Sequence, residues 1–338
     1  MKRGFLKGLL WSLPIFLLAG LPLVPSLSIG AEKLIGLQSA RVMAQSLPWV
    51  AQDTGLYKKY NLDFQLVYIS SSTLATTALL AGEVEVGHPG GAGVVRAFVQ
   101  GVNDLAFIAG VKNIMTQSIV GKAEIKRVED LKGKKVGVTR VGSNTHYFTI
   151  QALRRFGMEP GRDFTFIQTG GEPETLAALI GGGLDAATMT APADAMAIAA
   201  GFRYLLYGPD LRIPFPATPF VARRSVIAKR PQVVGQFLRA MAEASKILHT
   251  DKELTYKILG KHLKVADRKI LDSAYNAEIK ALEPRLALKT EALQAILDEV
   301  AKVDPRANKV RPLEMVDSRY LDEMEKSGFF DQLWGTKR

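Results

Sequence analysis

The sequence predicts an α/β fold of two βα lobes, joined by a hinge that the chain crosses twice. Three observations predict it. Short apolar runs alternate with helical segments, the same order returns about 100 residues later, and 338 residues are too many for one ordinary core.

Reading from Ala31, KLIGLQ, LDFQLVYI, VEVG and LAFIAG are strand-like, and LPWVAQDT, TLATTALLA and GVVRAFVQ between them are helical. Strands alternating with helices form parallel sheets under helical cover. From Lys134 the order returns as KKVGVT, THYFTIQALRRF, DFTFIQ, ETLAALI, LDAATM, ADAMAIAA and FRYLLY. Without a gap, Asp63 and Phe64 align on Asp163 and Phe164, Leu79 on Leu179, Gly82 on Gly182 and Gly101 on Gly201, while Gly36 meets Gly137 after a shift of one. Gly82, Gly182, Gly101 and Gly201 follow helices, where a left-handed cap is wanted, so they mark the boundaries of a duplicated unit. The expected division is a first part of lobe one over residues 31–115, lobe two over 116–216, and a return to lobe one with C-terminal helices over 217–338. The two crossings are expected at residues 116–121 and 217–223. Phe237, Met241, Leu248, Ile258 and Leu259 have the spacing of buried positions in helices that cover lobe one.

Residues 1–30 stand apart. Lys2, Arg3 and Lys7 precede an apolar run over residues 9–24, and Ser28 and Gly30 are small residues ahead of Ala31, the pattern of a cleaved secretory signal peptide. A retained anchor is the alternative, although Pro14, Pro22 and Pro25 interrupt the run. The chain has no cysteine, which excludes disulfides, thiolate chemistry and a lipid-bearing N-terminal cysteine. Export without a lipid points to the periplasm.

The formal charge of +11 includes three basic and no acidic residues of the leader, so the chain from residue 31 carries +8. Its lysines are scattered and form no arginine stripe with interleaved aromatics, which excludes nucleic-acid binding. His88, His146, His249 and His262 have no metal-ligand spacing, and no GxSxG, HExxH or Walker motif is present. No catalysis, metal or cofactor is expected. Asp185 stands where Glu85 stands in the first copy, so both read as structural carboxylates, and Lys132, Lys134 and Lys135 read as a solvated turn and strand start.

In open parallel sheets ligands bind beyond the carboxyl ends of the strands. The loops there span residues 39–49, 69–73 and 87–91 in lobe one and 140–145, 169–172 and 189–192 in lobe two. Gly142, Ser143, Asn144 and Thr145 open a helix, where N–H groups can hold an oxyanion and the helix dipole adds about 0.3 to 2 kcal/mol; an ordinary N-cap is the competing reading. Ser71, Ser72 and Thr73, after Ser70, form the matching polar start in lobe one, so a closed cleft can hold one polar group from both sides. Ser39 belongs to the first loop. Arg41 and Arg140 follow corresponding strands and can either grip a carboxylate or sulfonate or remain solvated. Trp49 stacks on an organic ligand or packs beneath the sheet. His88, with Pro89 and Gly90, is either a cleft-wall donor or a structural histidine. Asn113, beside Lys112, lies near the first crossing; Gly170 and Glu172 lie in the second lobe-two loop; Thr190 is a ligand contact or an N-cap; and Phe215 is a candidate cover.

The stretches LPWVAQDTGLYKKYNLDFQLV, ALLAGEVEVG, VEDLKGKKVGV with GSNTHYFTIQALRRFGM, and ALIGGGLDAATM run in this order between about residues 33 and 260. As a set they resemble the nitrate, sulfonate and taurine type of ABC-importer solute-binding proteins, which also includes receptors for thiamine-pyrimidine precursors. The resemblance implies a type II periplasmic-binding-protein fold, and a monomeric receptor that captures a small anionic or aromatic organic solute between its lobes and delivers it to an ABC permease and its ATPase. It leaves the solute open. Pyrimidine-synthesis enzymes share the fold but carry a cysteine-rich motif that is absent here. A ligand-sensing partner of a separate membrane receptor is the other alternative.

Overall fold

The computed structural model describes Met1 and residues 30–335, so the predicted leader lies, apart from its two ends, outside the described residues. The strands are β1 (Glu32–Gln38), β2 (Leu62–Tyr68), β3 (Val86–His88), β4 (Leu105–Met115), β5 (Ser118–Gly121), β6 (Lys134–Val138), β7 (Phe164–Gln168), β8 (Ala186–Met189), β9 (Arg203–Leu206) and β10 (Ile213–Arg223). They form two five-stranded sheets, ordered β2-β1-β3-β10-β4 and β7-β6-β8-β5-β9. In the first, β1 is parallel to β2 and β3, while β10 runs antiparallel to β3 and β4. In the second, β6 is parallel to β7 and β8, while β5 runs antiparallel to β8 and β9.

The two sheets have the same plan, as the internal repeat requires. Register agrees as well: Glu32 faces Leu62 and Gly36 faces Val86 in one sheet, and Lys134 faces Phe164 and Val136 faces Ala186 in the other. Glu85 accepts the Ile35 N–H at 3.2 Å, and Asp185 accepts the Lys135 N–H at 2.9 Å. These carboxylates brace corresponding strands, which is the structural role expected of them.

The chain passes from β4 to β5 through Thr116 and Gln117 alone and returns between β9 and β10 through the short helix Gly208–Leu211. Residues 217–223, read from sequence as the return crossing, are instead inside β10 and paired with β4 and β3, and residues 118–121 of the first expected crossing are inside β5 and paired with β8 and β9. The reason is backbone satisfaction: an extended segment leaving one sheet beside another gains ladder hydrogen bonds, so it becomes a strand and the true crossing shortens. Each crossing strand thereby occupies the same antiparallel position in the sheet it joins.

Helices Leu47–Asp53 and Pro231–Thr250 share a core with the first sheet, in which Val50, Phe220, Phe237, Met241, Leu248, Ile258 and Leu259 are buried. The C-terminal positions named from their spacing are thus core positions. Thr290–Ala301 packs on β10 and on helix Gly91–Val99. Among the described residues no helix is long and apolar enough to cross a membrane.

The two crossings touch at Gly208, where a Cβ would lie 1.6 Å from the Gln117 carbonyl oxygen. Gly208→Ala is therefore expected to lower the unfolding free energy by about 1–3 kcal/mol, the usual range for overpacking. A urea melt checks it, and an unchanged midpoint would mean that the crossings are not held together there.

Candidate functional site

A cavity lies between the carboxyl ends of the two sheets, with walls from both. Its volume is about 40 Å³, room for roughly three waters or a compact polar group.

The loops after β1 and β6 supply one pair of walls. The N–H of Ser39 donates to Gln45 Oε1 at 2.9 Å, and Gln45 Nε2 donates to Ser39 Oγ at 3.0 Å. In the second sheet the N–H of Thr139 donates to Thr145 Oγ1 at 3.0 Å. Corresponding residues of the repeat thus tie back corresponding loops, and all four line the cavity.

The two polar helix starts supply the next pair. Ser72 opens helix Ser72–Ala81, and its Oγ accepts the N–H of Asn144, which opens helix Asn144–Arg154, at 3.1 Å. Asn144 Nδ2 donates to the Ala217 carbonyl at 3.0 Å, and Ser70 Oγ donates to the Gly170 carbonyl at 2.9 Å. Ser71 has φ 74° and ψ 144°, a strained region for a residue other than glycine, and its Oγ is buried without a partner. Simple capping therefore does not account for Ser71. It does account for Ser143, whose Oγ accepts the His146 N–H at 3.4 Å.

Charge enters from two places. Lys112 on β4 is 2% exposed, and its Nζ donates to Glu278 at 2.7 Å and to Thr116 Oγ1 at 2.6 Å. Thr116 donates in turn to the other oxygen of Glu278. Glu172 opens helix Glu172–Ile180 and accepts the N–H and hydroxyl of Thr190 at 2.9 and 2.7 Å. Burial pushes the Glu172 carboxyl up to about 7, against the pull of the two Thr190 bonds; nearby Asp194 pushes it further up and Lys112 holds it down. Burial likewise pushes Asp194 up to about 6. Gln117 Oε1, Asn144 Oδ1 and Ser71 Oγ are buried around the cavity with no hydrogen-bond partner. Such groups are rarely left unsatisfied, so they mark a place for a polar ligand.

Of the residues named from sequence, Ser39, Ser71, Ser72, Asn144, Thr145, Glu172 and Thr190 line this cavity, and Thr190 serves Glu172 instead of capping a helix. Thr73, Gly90, Arg140, Gly142, Ser143 and Gly170 sit in the same loops without lining it. The remaining positions lie away from the cavity, and for Arg41, Trp49 and His88 the structure shows the solvated, packed or structural alternative. Arg41 is exposed, with its guanidinium 4.7 Å from the Tyr68 ring. Trp49 is in the first-sheet core, stacked on His262 at 5.1 Å. His88 and Pro89 are buried; His88 Nδ1 lies 2.9 Å from the Pro219 carbonyl, its ring packs on Phe220, and burial pushes it down to about 3. Asn113 spans the Ala287 carbonyl at 2.8 Å and the Lys289 N–H at 3.0 Å. Phe215 is buried 4.5 Å from the Tyr147 ring.

Asn113 and Lys112 show the physical reason. Neighbours on a strand point to opposite faces, so when Lys112 faces the cavity Asn113 cannot. Gln45, Gln117, Thr139 and Thr218 line the cavity and were not singled out from sequence. Thr139 and Gln45 are the repeat mates of Ser39 and Thr145, and applying the repeat to the loops would have found them. Gln117 comes from the first crossing and Thr218 from β10, and neither has a local signal.

The model of the NMT1-like family matches residues 35–259. The taurine-binding periplasmic protein of Escherichia coli (strain K12) is 29% identical over 177 residues, which cover 50% of this chain and 52% of that protein, so the match spans about half the length of this relative. Among solved structures, the alkanesulfonate-binding protein SsuA from Xanthomonas axonopodis pv. citri, bound to MOPS, superposes with a TM-score of 0.71 at 20% identity over 86% of this chain and 99% of its own. The desulfurization enzyme DszB superposes with a TM-score of 0.66 at 13% identity over 88% and 99%. The fold is thus that of the periplasmic binding proteins, and it is shared by receptors and by an enzyme.

The raised Glu172 carboxyl fixes the sign of a pH effect. Its contribution to stability is whole below the unfolded value near 4.3 and is lost as pH rises to about 7. Relative to Glu172→Gln, the wild-type chain is expected to lose up to about 1.4 kcal/mol per pH unit across that window and to level off above it. His88 and His146, both held below their usual value by burial, act in both proteins and cancel. Urea melts at a series of pH values measure the difference, and a flat difference would show that the Glu172 carboxyl is not raised in the folded chain.

Proposed function

The chain belongs to the NMT1-like family, and from that premise we propose that it is the periplasmic solute-binding receptor of an ABC importer. It captures a small polar solute, anionic at the end that meets the two helix starts, and presents it to a permease and its ATPase. One observation carries the reading: polar helix starts from both sheets meet over a cavity whose remaining buried hydroxyl and amide oxygens have no partner.

The mechanism follows from the two crossings. They are the covalent links between the sheets, so rotation about Thr116–Gln117 and Tyr207–Arg212 opens the cavity. A solute that bonds to both helix starts has differential affinity for the shut state and shifts the equilibrium toward it. The permease reads the shut form. The boundaries of the lobes fall at these crossings. The leader directs export to the periplasm, and the receptor works as a monomer. Turnover has no support in the cavity, because the chain has no cysteine and Glu172 is committed to Thr190.

Thermal shift and calorimetry against nitrate, taurine, alkyl sulfonates, small carboxylates and pyrimidines test the reading. A solute at 100 times its Kd should stabilise the chain by about 2.7 kcal/mol. Asn144→Ala should weaken that solute by roughly 1–3 kcal/mol, the range for a hydrogen bond lost from a buried site. Conversion of any panel member to product would instead support an enzyme, and no shift with any of them would sink the receptor reading.

Gly90 offers an independent check. A Cβ there would lie 2.7 Å from Ser72 Cβ and 2.8 Å from Asn144 Oδ1, and the residue has φ 79°. Gly90→Ala is expected to hold the helix starts apart and weaken the bound solute about tenfold or more, read by calorimetry. Unchanged affinity would mean that the shut state is not the binding state.

A further inference from the structure

Arg41 and Trp49 are absent from the cavity but meet in a second pocket at the carboxyl ends of β1 and β2. It has a volume of about 390 Å³, and its walls include Gln38, Arg41, Trp49, Tyr68, His262 and Lys264. We infer that this pocket binds a planar organic anion of the arene-carboxylate or arene-sulfonate class, at a site separate from the cavity between the sheets.

Charge is the first ground. Lys261 is held by Asp53 at 2.8 Å, and His262 Nε2 lies 3.2 Å from the same carboxylate. Arg41 and Lys264, by contrast, are exposed, and among the described residues neither is within ion-pair distance of a carboxylate. The pocket therefore carries two cations that nothing in it balances.

The walls are the second ground. Trp49 and His262 are stacked within 3° of parallel, and the Arg41 guanidinium lies over the Tyr68 ring. With one face on Tyr68, the exposed Arg41 guanidinium keeps its other face and its donors for a planar ring with an acid group, a better match than a compact inorganic ion. The shut inter-sheet cavity, at about 40 Å³, has about a tenth of this pocket's volume.

The third ground is independent of both. Gln38 is 3% exposed, lines the pocket, and its Oε1 has no partner. A buried amide oxygen left unsatisfied asks for a donor, which a hydroxyl or amino group on the ring supplies while the acid group meets Arg41 and Lys264. Ser39 and Ala40 line the cavity while Gln38 and Arg41 line this pocket, so one loop serves both without merging them.

Calorimetry on the full chain with benzenesulfonate and benzoate, and with benzyl alcohol as the neutral probe, tests the site. The anions should bind at least about tenfold more tightly than the alcohol. Arg41→Gln should weaken them about tenfold and Lys264→Gln about fivefold, with Arg41→Lys recovering only part because the planar fork is lost. Both side chains are exposed, so the melting temperature should not change. Asn144→Ala should leave arene binding intact, which separates this site from the receptor reading: either can fail alone. No heat at millimolar anion, equal binding of the alcohol, indifference to Arg41→Gln, or loss on Asn144→Ala would each overturn the inference.

Discussion

The site turns on the neutralisation of Lys112. This lysine lies inside the buried strand β4, and its charge is met by Glu278 and Thr116, both enclosed. Leaving such a charge unpaired costs about 3–5 kcal/mol, so the three side chains are tied to one another. Thr116 is the first residue of the crossing between sheets, and Glu278 ends helix Arg268–Glu278. One ion pair therefore fixes a cavity wall, the start of a crossing and the C-terminal helices. Those helices do more than cover the first sheet: through Glu278 they reach the junction itself.

Because Lys112 is committed to Glu278, it brings little free positive charge to the cavity. Glu172 is pushed toward neutrality on the facing side. What remains for a solute is a set of hydroxyls, amides and two helix starts, each start contributing about 0.3 to 2 kcal/mol toward a negative group. The cavity is suited to a ligand whose charge is met by oriented dipoles and whose own donors meet Gln117, Asn144 and Glu172.

The sequence made legible whatever was periodic or repeated: the duplicated sheets, the helix starts at Ser72 and Asn144, and the bracing pair Glu85 and Asp185. Side-chain direction was harder to read. Trp49, His88, Asn113 and Phe215 stand in the right segments but point into cores, because facing is decided by strand pleat and helix phase over a few residues. The Lys112 pairing joins positions 166 residues apart, and no local pattern announces it. The crossing strands are the same kind of case: their assignment depends on which ladder is open to receive them.

Duplication alone would give a symmetric cavity, and the departures from it are where the chemistry sits. Ser39 and Thr139 keep the same role, as do Gln45 and Thr145. At the next positions the copies diverge. Ser72 corresponds in the repeat to Glu172, so a hydroxyl that bonds across the cleft in one copy is matched by a buried carboxyl in the other. Gly90 corresponds to Thr190, so the side chain that satisfies Glu172 in one copy is removed in the other, where it would strike Asn144. The two substitutions depend on each other: a carboxyl at position 172 needs Thr190, and contact between the helix starts needs the bare backbone of Gly90. Together they turn a two-fold cavity into a polar one, with a hydroxyl end and a carboxyl end, and under the proposed receptor function that polarity gives a solute one way round.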